Sequence, residues 1–268
     1  MQAWEFRMRY LRLYAYFLRF SMSRSMEFRL DFFFRIIMDL AYYAVGLGFF
    51  HILYLHTDSL GGWNMHQMRI FVAGYILVDA VHMTMFSNNL YMLPRFINHG
   101  DLDYYLIRPV SSLFFLSLRD FAFNSFINLI FAGGIVVWAV GTYPGTLGAS
   151  GIAVFLLLIL AGALLYYCIH LLTILPTFWT QSGESLHQLF YNLSRFMERP
   201  DRIYRGSIRL LLTVALPFGL MASFPARLLL EPFNWAILAQ LLAVLTGFLF
   251  LISFIWNRGL RAYSSASS

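Results

Sequence analysis

Few side chains in this sequence are placed to do chemistry, and they fall in two regions. Asp79 and His82 sit three residues apart inside an apolar run, so a helix there would carry both on one face. A carboxylate and an imidazole in that relation could pass a proton or hold a polar substrate. Ionisable groups inside an apolar span are costly and face a cavity or a partner. Asp39 and His170, in two other apolar runs, pose the same question. The plainer alternative is a buried pair satisfied by Asn88, Asn89 or a neighbouring backbone group. The second region is PRFINHGDLDYYLIRPV, residues 94–110, where Leu102, Tyr105 and Leu106 recur at i, i+3 and i+4. Gly100 can end one short helix in a left-handed conformation, Asp101 can cap a second, and Arg108 followed by Pro109 discourages its continuation. An apolar stripe on a short helix outside the bilayer needs a cover.

Composition excludes several other chemistries. All 19 basic residues are arginine. Without lysine the chain has no phosphate-cradling P-loop and no Schiff base. Cys168 is the one cysteine, so there is no intrachain disulfide and no thiolate cluster. Neither G-x-S-x-G nor H-E-x-x-H occurs, which argues against an intramembrane hydrolase. The expectation is a protein that is not an enzyme and holds no cofactor of its own.

The scaffold that positions these groups is hydrophobic. Of 268 residues 60% are hydrophobic and 12% charged, with mean hydropathy +0.66, and this composition matches a chain dissolved in lipid. Apolar runs at residues 36–55, 70–93, 121–140, 152–175, 208–230 and 235–256 predict an all-α integral membrane protein of about six transmembrane helices in one domain. Pro217, Gly219 and Pro225 interrupt the fifth run, which allows a span followed by a short re-entrant piece. Residues 4–23 predict an amphipathic interfacial helix, with Phe6, Tyr10, Leu13, Phe17 and Phe20 on one face and Arg9, Arg12 and Arg19 beside it. An inside N-terminus places every arginine except Arg69 and Arg227 in cytoplasmic segments. That count includes Arg195, Arg199, Arg202, Arg205 and Arg209 in an inner connection at residues 181–209. Both termini are therefore expected in the cytoplasm, and the net charge of +6 is assigned to a membrane surface rather than to nucleic acid.

The run GDLDYYLIRPVSSLFFLSLRDF, the stretch with Pro200, Ile203 and Tyr204, the pair Pro217 and Pro225, and the ending WNRGLRAYSSAS together resemble the ABC transporter type 2 permease family, in its branch of uncharacterised prokaryotic permeases. The resemblance implies six membrane helices, an interfacial N-terminal helix, and a coupling helix in the first inner loop that docks into a separate ATPase. On this reading Leu102, Asp103, Tyr104, Tyr105, Leu106 and Arg108 form the ATPase-coupling region. Two ATPase copies would bind ATP and Mg. A second permease chain, identical or homologous, would complete an exporter in the prokaryotic inner membrane, in contact with lipids, and its substrate would be amphiphilic or lipid-like. The alternative is a proton-coupled secondary transporter that uses Asp79 and His82.

Overall fold

The computed structural model describes residues 2–25 and 29–263, and the described residues form an all-α membrane protein. Helix α1 (Gln2–Ser25) packs on the connection that follows residue 110. Tyr10 meets Phe114 edge to face at 4.8 Å, Phe17 meets Phe115 at 4.9 Å, and Ser21 Oγ accepts the Phe121 N–H at 3.0 Å. The covered face is centred on Phe17 and Ser21. Phe20 lies at its rim and is exposed.

Four helices are long and apolar enough to cross a membrane: α2 (Arg29–Tyr54), α3 (Met65–Asn98), α7 (Ala149–Thr180) and α11 (Trp235–Ala262). Helix α3 is the spine. A capping box starts it, with Asn64 Oδ1 accepting the Gln67 N–H and Gln67 Oε1 accepting the Asn64 N–H, both at 3.0 Å. At about 51 Å it outreaches a hydrocarbon core of about 30 Å, so part of it extends beyond the apolar layer.

A π-helical turn at Met83–Ser87 interrupts α3. Such turns free carbonyls, and Thr84 C=O accepts the Ala122 N–H at 3.0 Å. Asn89 exchanges two bonds with the Asp120 backbone, at 2.7 and 2.9 Å. These bonds seat the start of α6 (Phe123–Gly141) beside Thr84. Its far end lies at Arg69, which covers the Trp138 ring at 5.3 Å. Helix α6, about 28 Å long, thus runs antiparallel along α3.

The end carrying α1, the connection at residues 99–122 and the C-terminus of α11 is the basic end, with Arg95, Arg108, Arg119, Arg258 and Arg261. Here Leu93, Leu102, Tyr105, Leu171 and Trp256 form one core cluster. A second, around Phe71, Ile76, Phe155 and Phe218, fills the rest of the bundle. At Gly162 on α7 the Met221 backbone comes so close that a Cβ would lie 2.4 Å from its carbonyl oxygen, which only glycine permits.

The largest departure from expectation concerns residues 181–230. The segment expected as an inner connection runs the length of the bundle. At the basic end Gly183, opening α8 (Gly183–Ser194), lies against Pro94, and Asn98 Nδ2 donates to the Gln181 carbonyl at 3.0 Å. Further along, Phe190 stacks on His170 and the Tyr42 hydroxyl donates to Glu198 at 2.8 Å. At the opposite end Arg202 covers Trp63 and pairs with Glu231 at 2.7 Å. Two short 3-10 turns, Arg195–Glu198 and Asp201–Ile203, extend α8 to a reach of roughly 35 Å.

The apolar run expected at 208–230 as a span, or a span followed by a re-entrant piece, is a bent pair, α9 (Gly206–Ala215) and α10 (Phe218–Leu230), meeting at 68° around Leu216 and Pro217. Both ends of the pair are held at the same end of the bundle, because Arg202 before it is bonded to Glu231 after it. It therefore enters and returns there. Asp201, fully buried, ties the hairpin to α8: it accepts from Arg209 Nε at 3.1 Å and Nη2 at 2.8 Å, lies 3.7 Å from Arg227, and its N–H donates to Ser223. Of the five arginines counted as inner, Arg202 and Arg209 lie with these contacts at the end of the bundle opposite α1. The basic end keeps its excess of arginine without them.

Candidate functional site

The connection at the basic end forms a small, rooted projection. Helix α3 stops at His99, and Gly100 takes φ +81°, the left-handed conformation expected of it. Asp101 does not cap the next helix; the turn starts after Leu102, whose N–H donates to Phe96 C=O at 3.2 Å. One helical turn follows, α4 (Asp103–Leu106), before Arg108 and Pro109 end it. Helix α5 (Ser112–Leu118) begins at an N-cap bond from Phe114 N–H to Ser111 Oγ.

The expected stripe is therefore split. Leu102 and Tyr105 point inward and are buried by the chain itself, Tyr105 between Phe96 and Phe115 at 5.4 Å from each and accepting a hydrogen bond from Arg119 Nη1. Their cover is intramolecular. The outward face consists of Tyr104, Leu106 and Ile107, exposed by 58%, 38% and 81%. Arg108 lies across the Tyr104 ring at 4.2 Å and near Phe115 at 4.9 Å, which fixes a cation at the edge of that face. Asp103 is half-buried beside it. Ile107 has no place in a stripe at i, i+3 and i+4, and it stands outward because the helix is a single turn that ends before it.

The intramembrane pair is rearranged too. No hydrogen bond joins Asp79 to His82, Asn88 or Asn89 among the described residues; Asn89 is committed to Asp120 and Met85. His82 instead belongs to a chain of three imidazoles. His170 Nδ1 lies 3.1 Å from His82 Nε2, His170 Nε2 lies 3.4 Å from His187 Nδ1, and His187 Nε2 lies 3.3 Å from Tyr91 C=O. The carbonyl can only accept, so neutral His187 donates from Nε2 and accepts at Nδ1. His170 must then donate from Nε2 and accept at Nδ1, and His82 must donate from Nε2. That leaves His82 Nδ1 as the one ring nitrogen of these three histidines without a partner. Because His170 uses its two nitrogens in opposite directions, the rings do not converge on a metal, and no metal-holding group occurs among the described residues. The chain bridges α3, α7 and α8. His187 lacked a sequence signal because it falls in the segment read as a connection.

Asp79 shares its surroundings with Asp39 and Glu198. Asn128 Nδ2 donates to Asp39, and Tyr42 donates to Glu198. Beside them a cavity of about 230 Å³ is lined by Tyr42, Gly46, Phe49, Tyr75, Glu198 and Arg199. Charged groups so deep among apolar helices make a polar band that hydrocarbon would not solvate.

Neither curated proteins nor solved structures gave a match. The family model described as ABC-2 family transporter protein matches residues 40–267, so the chain belongs to the ABC-2 transporter family, as a multi-pass membrane permease subunit.

Proposed function

We propose that this subunit is the membrane half of an ATP-driven exporter, energised by two copies of a separate ATPase that dock on the projection at the basic end. The observation that carries the proposal is the split stripe: Leu102 and Tyr105 root α4 in the core while Tyr104, Leu106 and Ile107 stand outward beside Arg108. A contact surface built this way transmits force, because displacement of the outer residues moves the α3 and α5 side chains that enclose Tyr105. With the basic end in the cytoplasm, α2, α3, α6, α7, the segment from Gly183 to Ile203, and α11 make six crossings, and both termini share one side. A second permease chain covers the band of Tyr42, Glu198 and Arg199, and an amphiphilic substrate passes along it. ATP and Mg belong to the partner, since a chain without lysine offers no phosphate-cradling loop.

His82 is hydrogen-bonded to His170 and not to Asp79, which weakens the proton-coupled alternative. The test is capture of the intact chain in mild detergent. An ATPase should accompany it, and transport in vesicles should require ATP. Transport driven by a pH gradient in the absence of ATP would replace this proposal with the secondary transporter.

A further inference from the structure

At the opposite end of the bundle a cavity of about 290 Å³ opens between α2, the first turns of α3 and the end of α6. Most of its wall is apolar, from Leu47, Phe50, Met65, Met68, Val72 and Trp138, and His51 and Tyr54 complete it. Arg69 supplies the one arginine of its lining. The neighbouring arginines at this end, Arg202, Arg209 and Arg227, all pair with Asp201 or Glu231. Arg69 has no carboxylate partner among the described residues: its Nη2 meets only the Met65 thioether at 3.7 Å, and its guanidinium lies over Trp138. The remaining N–H donors of the guanidinium are thus offered where α2, α3 and α6 leave a gap.

We infer that this cavity is a binding site for an anionic phospholipid of the leaflet at that end, with the acyl chain along the apolar wall and the phosphate on Arg69. Arg69 is half-buried near the first turn of α3, and an arginine at the end of a membrane helix reaches toward the headgroup layer. Charge complementarity selects among lipids. A zwitterionic headgroup brings its own cation beside the guanidinium, and no carboxylate lines the cavity to offset that repulsion. A lipid whose phosphate has no internal partner gains the full contact. The reading is consistent with an amphiphilic substrate for the permease and extends that proposal, but the site stands on its own geometry.

The test uses the full chain in nanodiscs and brominated lipids as quenchers, with the Trp138 emission isolated as the difference between wild type and Trp138→Phe. Dibromo-phosphatidylglycerol should quench that component about fivefold more effectively than dibromo-phosphatidylcholine at equal mole fraction. Arg69→Gln should remove the preference and Arg69→Lys should keep most of it. A Cβ at Gly48, which lines the cavity, meets nothing within 4 Å, so Gly48→Leu projects into that space and should reduce quenching by both lipids while leaving Arg69 in place. Excess inorganic phosphate should not displace the lipid. Equal quenching by the two lipids, a preference that survives Arg69→Gln in a folded protein, or displacement by phosphate alone would overturn the inference. No ATPase enters the assay, so its failure leaves the permease reading standing, and failure of that reading leaves the lipid result intact.

Discussion

Replacing Asp201 by alanine should cost more stability than any other single change at the hairpin end. The carboxylate is fully buried and receives two N–H bonds from Arg209, with Arg227 3.7 Å away. Removing one partner of a buried ion pair costs about 3–5 kcal/mol, chiefly because the remaining charge is left uncompensated. Two observations lower that figure here. Arg209 keeps 42% of its side-chain surface and can turn to water, and Arg227 retains Glu231 at 3.8 Å. About 2–3 kcal/mol is the resulting expectation, or a fall of roughly 5–10 °C in unfolding midpoint. Cys168 supplies the assay: it is the chain's one cysteine and is fully buried, so a thiol-reactive dye added during heating reports unfolding directly. Arg209→Ala should cost less, about 1 kcal/mol, and the double variant should fall short of the sum because the two changes remove one shared interaction. An Asp201→Ala midpoint within a degree of wild type, or additive losses, would refute the claim that this pair pins α8 to the hairpin.

His170→Phe preserves the ring stack on Phe190 but strands His82 Nε2–H and His187 Nδ1, and should cost about 2–4 kcal/mol in the same dye assay; a loss no greater than that of an exposed substitution would contradict the hydrogen-bonded chain. In a Cys168→Ala background, single cysteines at Ser59 and Arg205 should react with an impermeant reagent from one side of the membrane and a cysteine at His99 only from the other; reaction of positions 205 and 99 from the same side would remove the crossing at 183–203. Gly162→Leu should block packing of α7 against Met221 and lower the yield of folded protein, whereas Gly133→Leu, where a Cβ meets nothing within 4 Å, should be tolerated; equal yields of the two would contradict the close approach.

Much of this fold was legible in the sequence because hydropathy measures the cost of placing a segment alone in lipid. That measure works for α2, α3, α7 and α11, whose surfaces are apolar. It fails for residues 183–203, where Glu184, Arg195, Glu198, Arg199, Asp201 and Arg202 depress the average although Asp201, Glu198 and Arg202 find partners inside the protein. It is also a poor guide for 206–230, where much of the apolar side-chain surface of the bent pair is buried between other helices. In the candidate site, Gly100 and Pro109 bracketed the projection correctly. Which of its residues faced inward depended on the helix being one turn long, and the bonds that set this length reach back to Phe96, beyond any local pattern. The histidine chain was half visible, since His82 and His170 lay in recognisable apolar runs and the third ring did not.

The most direct measurement of the central claim is ATPase binding by an Ile107→Glu variant. Ile107 is 81% exposed and touches little of its own chain, so a charge there leaves the bundle intact, as equal dye-reported midpoints would verify. Tyr105, buried beneath it, is the wrong residue to change for this purpose. If α4 seats in a cleft of the ATPase, the buried unpaired carboxylate should weaken capture of that partner at least about 30-fold, with a parallel loss of ATP-driven transport at matched membrane levels. Full ATPase capture and full transport by a folded Ile107→Glu protein would contradict the account.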